Sequence, residues 1–325
     1  MTAQQTRSPT PEGVARAAGK IAELLPKTPL LEAEINGVQV WLKAESLQPI
    51  GSFKIRGAWH RISDLSAEER ARGVVGVSSG NHAQGVAWAA QRLGIDATIV
   101  MPADAPQVKI AATQGYGART VLYDRPGGED RDAVAQRLVD QSGATLVHAF
   151  ADDWVIEGQG SIGLEIAAQL AARGHDGPTR IVCPCGGGGM TAGLALACPD
   201  AEIVPVEPEG WDDVKRSLAA GEIVPVAKDA PPTACDALQT PATRPINFAV
   251  LPRRVTAGLD VSPAEVRAAQ RWAFSNLHLV LEPGGAAALA AALAGKVPLD
   301  GRTAIVLSGG NTDAAAFAKV IAGSD

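Results

Sequence analysis

Cysteine is scarce, with four in 325 residues. Cys183, Cys185, Cys198 and Cys235 do not form the paired half-sites of a zinc centre, and no histidine falls near them. With so few thiols, a reduced cytoplasmic setting is expected. Runs of basic residues are absent and the formal net charge is −6, which leaves nucleic-acid or anionic-membrane binding without electrostatic support. No apolar stretch is long and uninterrupted enough to span a bilayer. The opening "MTAQQTRSPTPEG" lacks the apolar centre of a signal peptide. Repeats and low-complexity segments are also missing, and no separate C-terminal regulatory domain is expected beyond the last strand and its helix.

What is present is apolar and alternating. Hydrophobic residues make up 46% of the chain, so it is globular and long enough for about two domains. Strands are expected at "VQVWLKA", "GVVGVSS", "ATIVMP", "RTVLYD", "TLVHAF", "RIVCPCG", "AEIVPVEP" and "TAIVLSGG". Helices such as "HAQGVAWAAQRLG" and "SIGLEIAAQLAARG" lie between them. Continuous apolar strands alternating with helices predict an α/β fold with mostly parallel sheets. Thr10 followed by Pro11 predicts the start of the first helix. The Pro- and Thr-rich "VPVAKDAPPTACDALQTPATRPINFAVLP" reads as ordered loop.

Ligands of open α/β sheets bind beyond the carboxyl ends of strands. Three such endings are polar and contain glycine: "SSGNHAQG" (78–85), "CGGGGMTAG" (185–193) and "SGGNTD" (308–313). Four glycines, Gly186 to Gly189, let backbone amides close around a phosphate. A tight turn alone needs fewer. No Lys-Ser/Thr pair follows, so this is not a P-loop. Gly187-x-Gly189-x-x-Ala192, with Glu207 some 20 residues on, does match a dinucleotide fingerprint, and a nicotinamide-dependent oxidoreductase is one reading. It leaves Lys54 in "QPIGSFKIRGA" without a role. The Ser78–Gly85 turn can bind a carboxylate; equally, Ser79 or Asn81 can cap a helix and His82 can be a packed or solvated histidine. A phosphate cup, a carboxylate cup and a pocketed lysine together suit pyridoxal phosphate (PLP) and an amino acid.

"KTPLLEAE", "KAESLQPIGSFKIRGA", "SSGNHAQGVAWAA", "MPADAPQVKIAATQGYGA", "EGQGSIGLEI", "PCGGGGMTAG", "EPGGAAALAA" and "SGGN" occur in one order over nearly the whole chain. In this the sequence resembles the fold type II (β-family) PLP enzymes, in the branch of serine/threonine dehydratases and serine racemases. The resemblance implies a tryptophan synthase β-like fold of two open, twisted, mostly parallel sheets flanked by helices. It implies a large cofactor-binding domain of residues 1–65 and 150–325 and a small substrate-loop domain of residues 66–149. Lys54 matches the Schiff-base lysine that also shuttles the α-proton, and Phe53 the residue beside the pyridine ring. Asn81 matches the partner of the ring hydroxyl, and Gly186, Gly187, Gly188, Gly189 and Met190 the phosphate cup. Ser308 matches the partner of the ring nitrogen; a neutral hydroxyl there leaves that nitrogen unprotonated. Ser78, Ser79, Gly80, Asn81 and His82 match the loop around the substrate carboxylate.

The implied reaction is β-elimination of water from L-threonine or L-serine, giving a 2-oxo acid and ammonia. Ser79 matches a serine that protonates the opposite face in racemases, so racemisation is an alternative. Arg131 resembles an entrance arginine of racemases and hydroxyaspartate dehydratases, which suits an anionic side chain. Its plain alternative is a solvated helix arginine paired with Glu129 or Asp130. "VEPEGWDD" resembles a divalent-cation site in which Glu207 and Asp213 supply carboxylates and Trp211 a carbonyl to Mg²⁺ or Ca²⁺. Ile50 stands where the family commonly has threonine, and "TACDALQTP" replaces an Ala-Asp-Gly run at the cofactor's border. Glu282 in "EPGG" matches a family glutamate near the cofactor. Members of the family are commonly dimers, so a homodimer is expected, with a small amino acid as its only partner.

Overall fold

Thr10 accepts a hydrogen bond from the Gly13 amide and Pro11 takes the first helical position, so α1 (Pro11–Ala22) starts where the sequence places it. The computed structural model describes residues 7–323 apart from 79, 106, 126 and 256. After α1 come β1 (Leu30–Ile35), β2 (Val38–Ala44), α2 (Lys54–Ser63) and α3 (Ala67–Arg72). Next are β3 (Val74–Val77), α4 (Asn81–Leu93), β4 (Ala97–Pro102), α5 (Gln107–Gly115), β5 (Arg119–Tyr123), α6 (Arg131–Ser142) and β6 (Thr145–Val147). The chain continues through α7 (Asp153–Ala171), β7 (Arg180–Pro184), α8 (Gly189–Ala197), β8 (Glu202–Pro208) and α9 (Asp213–Ala220). It ends with α10 (Pro245–Phe248), β9 (Leu259–Val261), α11 (Pro263–Leu277), α12 (Pro283–Leu293), β10 (Thr303–Leu307) and α13 (Ala314–Ala322).

The strands form two sheets. One has six strands in the order β1-β2-β10-β7-β8-β9, and the other four in the order β5-β4-β3-β6. All pairings are parallel except β1 with β2. The four-stranded sheet lies wholly within residues 74–147. All eight expected strands form, several shorter than their apolar runs. Two further strands, β1 and β9, carry little apolar signal. β1 reads "LLEAEI" with buried ends and outward Glu32 and Glu34, the alternation of a half-solvated edge strand. β9 has three residues. The Pro-rich segment is ordered, and contains α10 and two short 3-10 turns.

Two features of this packing position the site. In the smaller sheet β3 has β4 on one side and β6 on the other, so the strand order reverses at β3. In the larger sheet β10 and β7 are neighbours, and their carboxyl ends lead into Ser308 and the four-glycine turn. The three polar turns thus lie at switch points of the two sheets, where open α/β folds bind ligands. Among the described residues, no helix is long and apolar enough to cross a membrane.

Candidate active site

Lys54 is the first residue of α2. The loop before it is pinned to the larger sheet, since the Phe53 amide donates to the Ser308 carbonyl at 3.1 Å and Ser52 bridges Gly309. Gly51 has φ +72° and faces the Asn311 side chain, where an added Cβ would stand 2.3 Å from Oδ1; only glycine fits there without strain. Ile50 is buried in the core shared by α2 and α4, an apolar contact that a threonine hydroxyl would weaken. Two residues beyond Lys54, Arg56 is wholly buried. Its guanidinium grips Glu45 with Nε and Nη2, both at 2.8 Å, and reaches Glu165 with Nη1 and Nη2 at 2.8 and 2.9 Å.

The Lys54 amine donates to the Ala149 carbonyl at 2.8 Å. Burial lowers its pKa to about 8, against the upward pull of Cys185 and Glu282. A buried ammonium has lost its hydration, so the neutral amine is favoured. About a tenth of this lysine is therefore neutral and nucleophilic at pH 7, far more than of a surface lysine.

One cavity of about 400 Å³ gathers the expected residues. Phe53, Lys54, Ser78, Gly80, Asn81 and His82 line it together with Gly186 to Met190 and Ser308. Ser79 lies outside the described residues. Gly80 occupies the cap position of α4 without a side-chain cap, and Asn81 is the first helical residue, which corrects the reading of Asn81 as a helix cap. The Gly80 amide instead donates to Ser78 Oγ at 3.0 Å. His82 is packed, not solvated. Its Nε2 lies 2.9 Å from the Val147 carbonyl, and burial, then the charge of Lys54, pushes its pKa down to about 3. It stays neutral.

The glycine turn is closed from behind. A Cβ on Gly187 would stand 2.3 Å from the Phe150 ring, and Gly188 has φ +84°. At the front, the first amides of α8 have no intrahelical acceptor and Gly188 offers no side-chain cap. The result is a cradle of free N–H groups at a helix start, suited to a phosphate. Glu207 does not serve this turn. Its two oxygens accept the Val214 and Lys215 amides at 3.0 and 2.8 Å, and it is fully buried outside the cavity. It is unavailable to a ribose, which removes the dinucleotide reading.

Arg131 does line the cavity, but neither Glu129 nor Asp130 pairs with it. Glu129 takes Arg137 and Asp130 caps α6; the acid beside Arg131 is Asp132, at 3.7 Å. Arg244 reaches the same Asp132 at 3.2 Å from the other half of the molecule and also lines the cavity. Sequence reasoning missed Arg244, Phe150 and Lys109, and left Glu282 without a role. Lys109 lay within a quoted motif, yet nothing in its spacing says that it points into a cavity. Among the described residues, no three His, Cys, Asp or Glu side chains converge as a metal site.

The residues suit PLP on two counts: an amide-lined glycine cradle and a buried amine of lowered pKa. A family model described as "Pyridoxal-phosphate dependent enzyme" matches residues 21–309. The chain is 37% identical to an L-threo-3-hydroxyaspartate ammonia-lyase of Saccharomyces cerevisiae, over 98% of each chain. It is 36% identical to a serine racemase of Schizosaccharomyces pombe, over 96% of this chain and 97% of that one. Its fold matches the crystal structure of a threonine deaminase from T.th. with a TM-score of 0.85 and 42% identity, covering 94% of this chain and 99% of the other. This chain belongs to the pyridoxal-phosphate-dependent enzymes, in the fold type II branch of ammonia-lyases and serine racemases.

Proposed function

We propose that the enzyme removes water from L-threonine and L-serine, releasing a 2-oxo acid and ammonia. The observation that carries this reading is that the buried, easily deprotonated Lys54 and the glycine cradle line one cavity. Bound PLP supplies the electron sink for charge developing at the α-carbon. The protein supplies the rest. The amides of Gly186 to Met190 hold the phosphate, and Phe53 packs beside the ring. Ser308 meets the ring nitrogen as a neutral partner, and Asn81 meets the ring hydroxyl. Ser78, Ser79, Gly80, Asn81 and His82 bind the α-carboxylate, and Lys54 takes and returns the α-proton. In the same reading residues 66–149 form the small domain, residues 1–65 and 150–325 the large one, and the enzyme is a cytoplasmic homodimer.

The test is an assay of purified protein with PLP against L-threonine, L-serine, D-serine and L-threo-3-hydroxyaspartate, following both 2-oxo acid and enantiomer. Oxo acid from L-threonine or L-serine is expected. Lys54→Ala should abolish turnover and the visible absorbance of the holoenzyme; retention of both would sink the proposal. Enantiomer exchange without oxo acid would assign Ser79 to a racemase. Arg131 and Arg244 on the cavity wall favour a second reading, in which the substrate carries an anionic side chain; oxo acid from hydroxyaspartate alone would select it.

The proposal extends to a divalent cation at Glu207, Asp213 and the Trp211 carbonyl. Both carboxylates are fully buried. Burial raises the pKa of Asp213 to about 7, and burial followed by Asp213 raises that of Glu207 well above the usual carboxylate range. Asp213 Oδ1 has no hydrogen-bond partner, so a cation has an oxygen to meet. Mg²⁺ or Ca²⁺ alone should raise the melting temperature of the wild type and leave Asp213→Asn unmoved; an equal response in both would remove the site.

A further inference from the structure

Lys109 is 5% exposed and lines the cavity, yet the reaction above gives it no part. Its stem crosses the α-carbon of Gly80, where an added Cβ would stand 2.7 Å from Lys109 Cδ. The ammonium then reaches the other half of the molecule. It donates to Asp236 Oδ2 at 2.5 Å and lies 3.6 Å from Glu282 Oε2. The other Glu282 oxygen accepts from Asn81 Nδ2. Asn81 Oδ1 accepts from Asn311 Nδ2 at 2.8 Å, and that same amide donates to the Ile50 carbonyl at 2.8 Å. One polar chain therefore runs from Asp236 through Lys109, Glu282, Asn81 and Asn311 to the loop that carries Lys54.

The chain leaves Asn81 little freedom. Its carbonyl end is held by Asn311 and one amide hydrogen by Glu282, so a single N–H remains to face the cavity. That orientation depends on Glu282 being an acceptor. A fully buried carboxylate is costly without a nearby cation. Burial raises the pKa of Glu282 to about 7 and Lys109 opposes the rise. The other charged or titratable groups around Glu282 are Asp236, Cys235 and Lys54; of these only Lys54 carries a cation, and burial favours its neutral form.

We propose that Lys109 is a positioning residue: through Glu282 and Asp236 it fixes the Asn81 amide and the Gly80 turn across the cleft, and so sets how the site grips PLP. The inference rests on the PLP site described above and not on any particular amino-acid substrate. The test uses the full-length holoenzyme, resolved to the apoprotein and titrated with PLP. Binding is read from tryptophan quenching, and the environment of the bound ring from its visible absorbance maximum. Lys109→Met should weaken PLP binding by about ten-fold or more and shift that maximum, while Lys109→Arg restores both. Asp236→Asn, at a partly exposed position, should weaken binding less, and should add nothing to Lys109→Met. Wild-type affinity and spectrum in Lys109→Met would overturn the proposal, as would an Arg variant as impaired as Met. Should Lys109→Met fail to fold by circular dichroism, unchanged PLP affinity in Asp236→Asn would overturn it as well. None of these readouts depends on which amino acid is turned over, so the dehydratase reading can fail or stand separately.

Discussion

Lys54 shows what burial does to one side chain. Its pKa falls to about 8 because the cavity removes water from the ammonium, while Cys185 and Glu282 only partly offset that loss. The neutral amine is the reactive form. Below pH 8 its fraction falls about ten-fold per pH unit, since one unit is about 1.4 kcal/mol. The rate at which the apoprotein captures PLP should therefore climb with pH and level off above about 8. Stopped-flow absorbance between pH 6 and 9 measures this, and a rate that still climbs about ten-fold per unit up to pH 9 would contradict a lowered lysine. Lys54 was legible in the sequence because "GSFK" is a strong motif. Lys109 was not, because a single lysine in a nine-residue helix carries no mark of the neighbours that the fold brings to it.

At the scale of elements, α2 is held in place by a buried charge cluster. Arg56 on α2 joins Glu45, which follows β2, to Glu165 on α7. Lys43 of β2 also donates to Glu165 at 2.7 Å. Two carboxylates share two cations, and the hydrogen bonds of Arg56 are bidentate. Arg56→Met would leave Glu45 hydrogen-bonded to Thr28 and Gln48, with Lys43 the one cation left to the two carboxylates. An uncompensated buried charge costs about 3–5 kcal/mol, so the variant should melt far below wild type even without PLP. Arg56→Lys should recover part of the loss; a melting temperature within a degree or two of wild type in Arg56→Met would refute the cluster's importance. The sequence shows the apolar strands clearly because both their faces are covered. It hides β1, whose outward glutamates read as loop, and it hides this cluster, whose members lie up to 122 positions apart and meet only through packing.

For the whole molecule, the central question is how two sheets share one cavity. Among the described residues, ion pairs cross between them at two places, Lys109 with Asp236 and Glu282, and Arg244 with Asp132. They differ in kind. The first is buried on the lysine side and belongs to the polar chain behind the cofactor site. The second is about half exposed on both sides, so its worth to stability is about 0–1 kcal/mol. Its position matters more than its strength. Asp132 stands beside Arg131 and Arg244 on the cavity wall and neutralises part of their charge. A second carboxylate on a substrate would compete with it for the same guanidinium groups. Asp132→Asn should then barely move the melting temperature, yet lower KM for L-threo-3-hydroxyaspartate relative to L-serine by about five-fold, the equivalent of about 1 kcal/mol between charges a few ångströms apart near the surface. Steady-state kinetics on both substrates tests this, with salt as a control, because an exposed electrostatic effect shrinks as ionic strength rises. Equal changes for the two substrates would mean that Asp132 acts on the shape of the entrance and not on its charge, and the two arginines would then have no bearing on substrate choice.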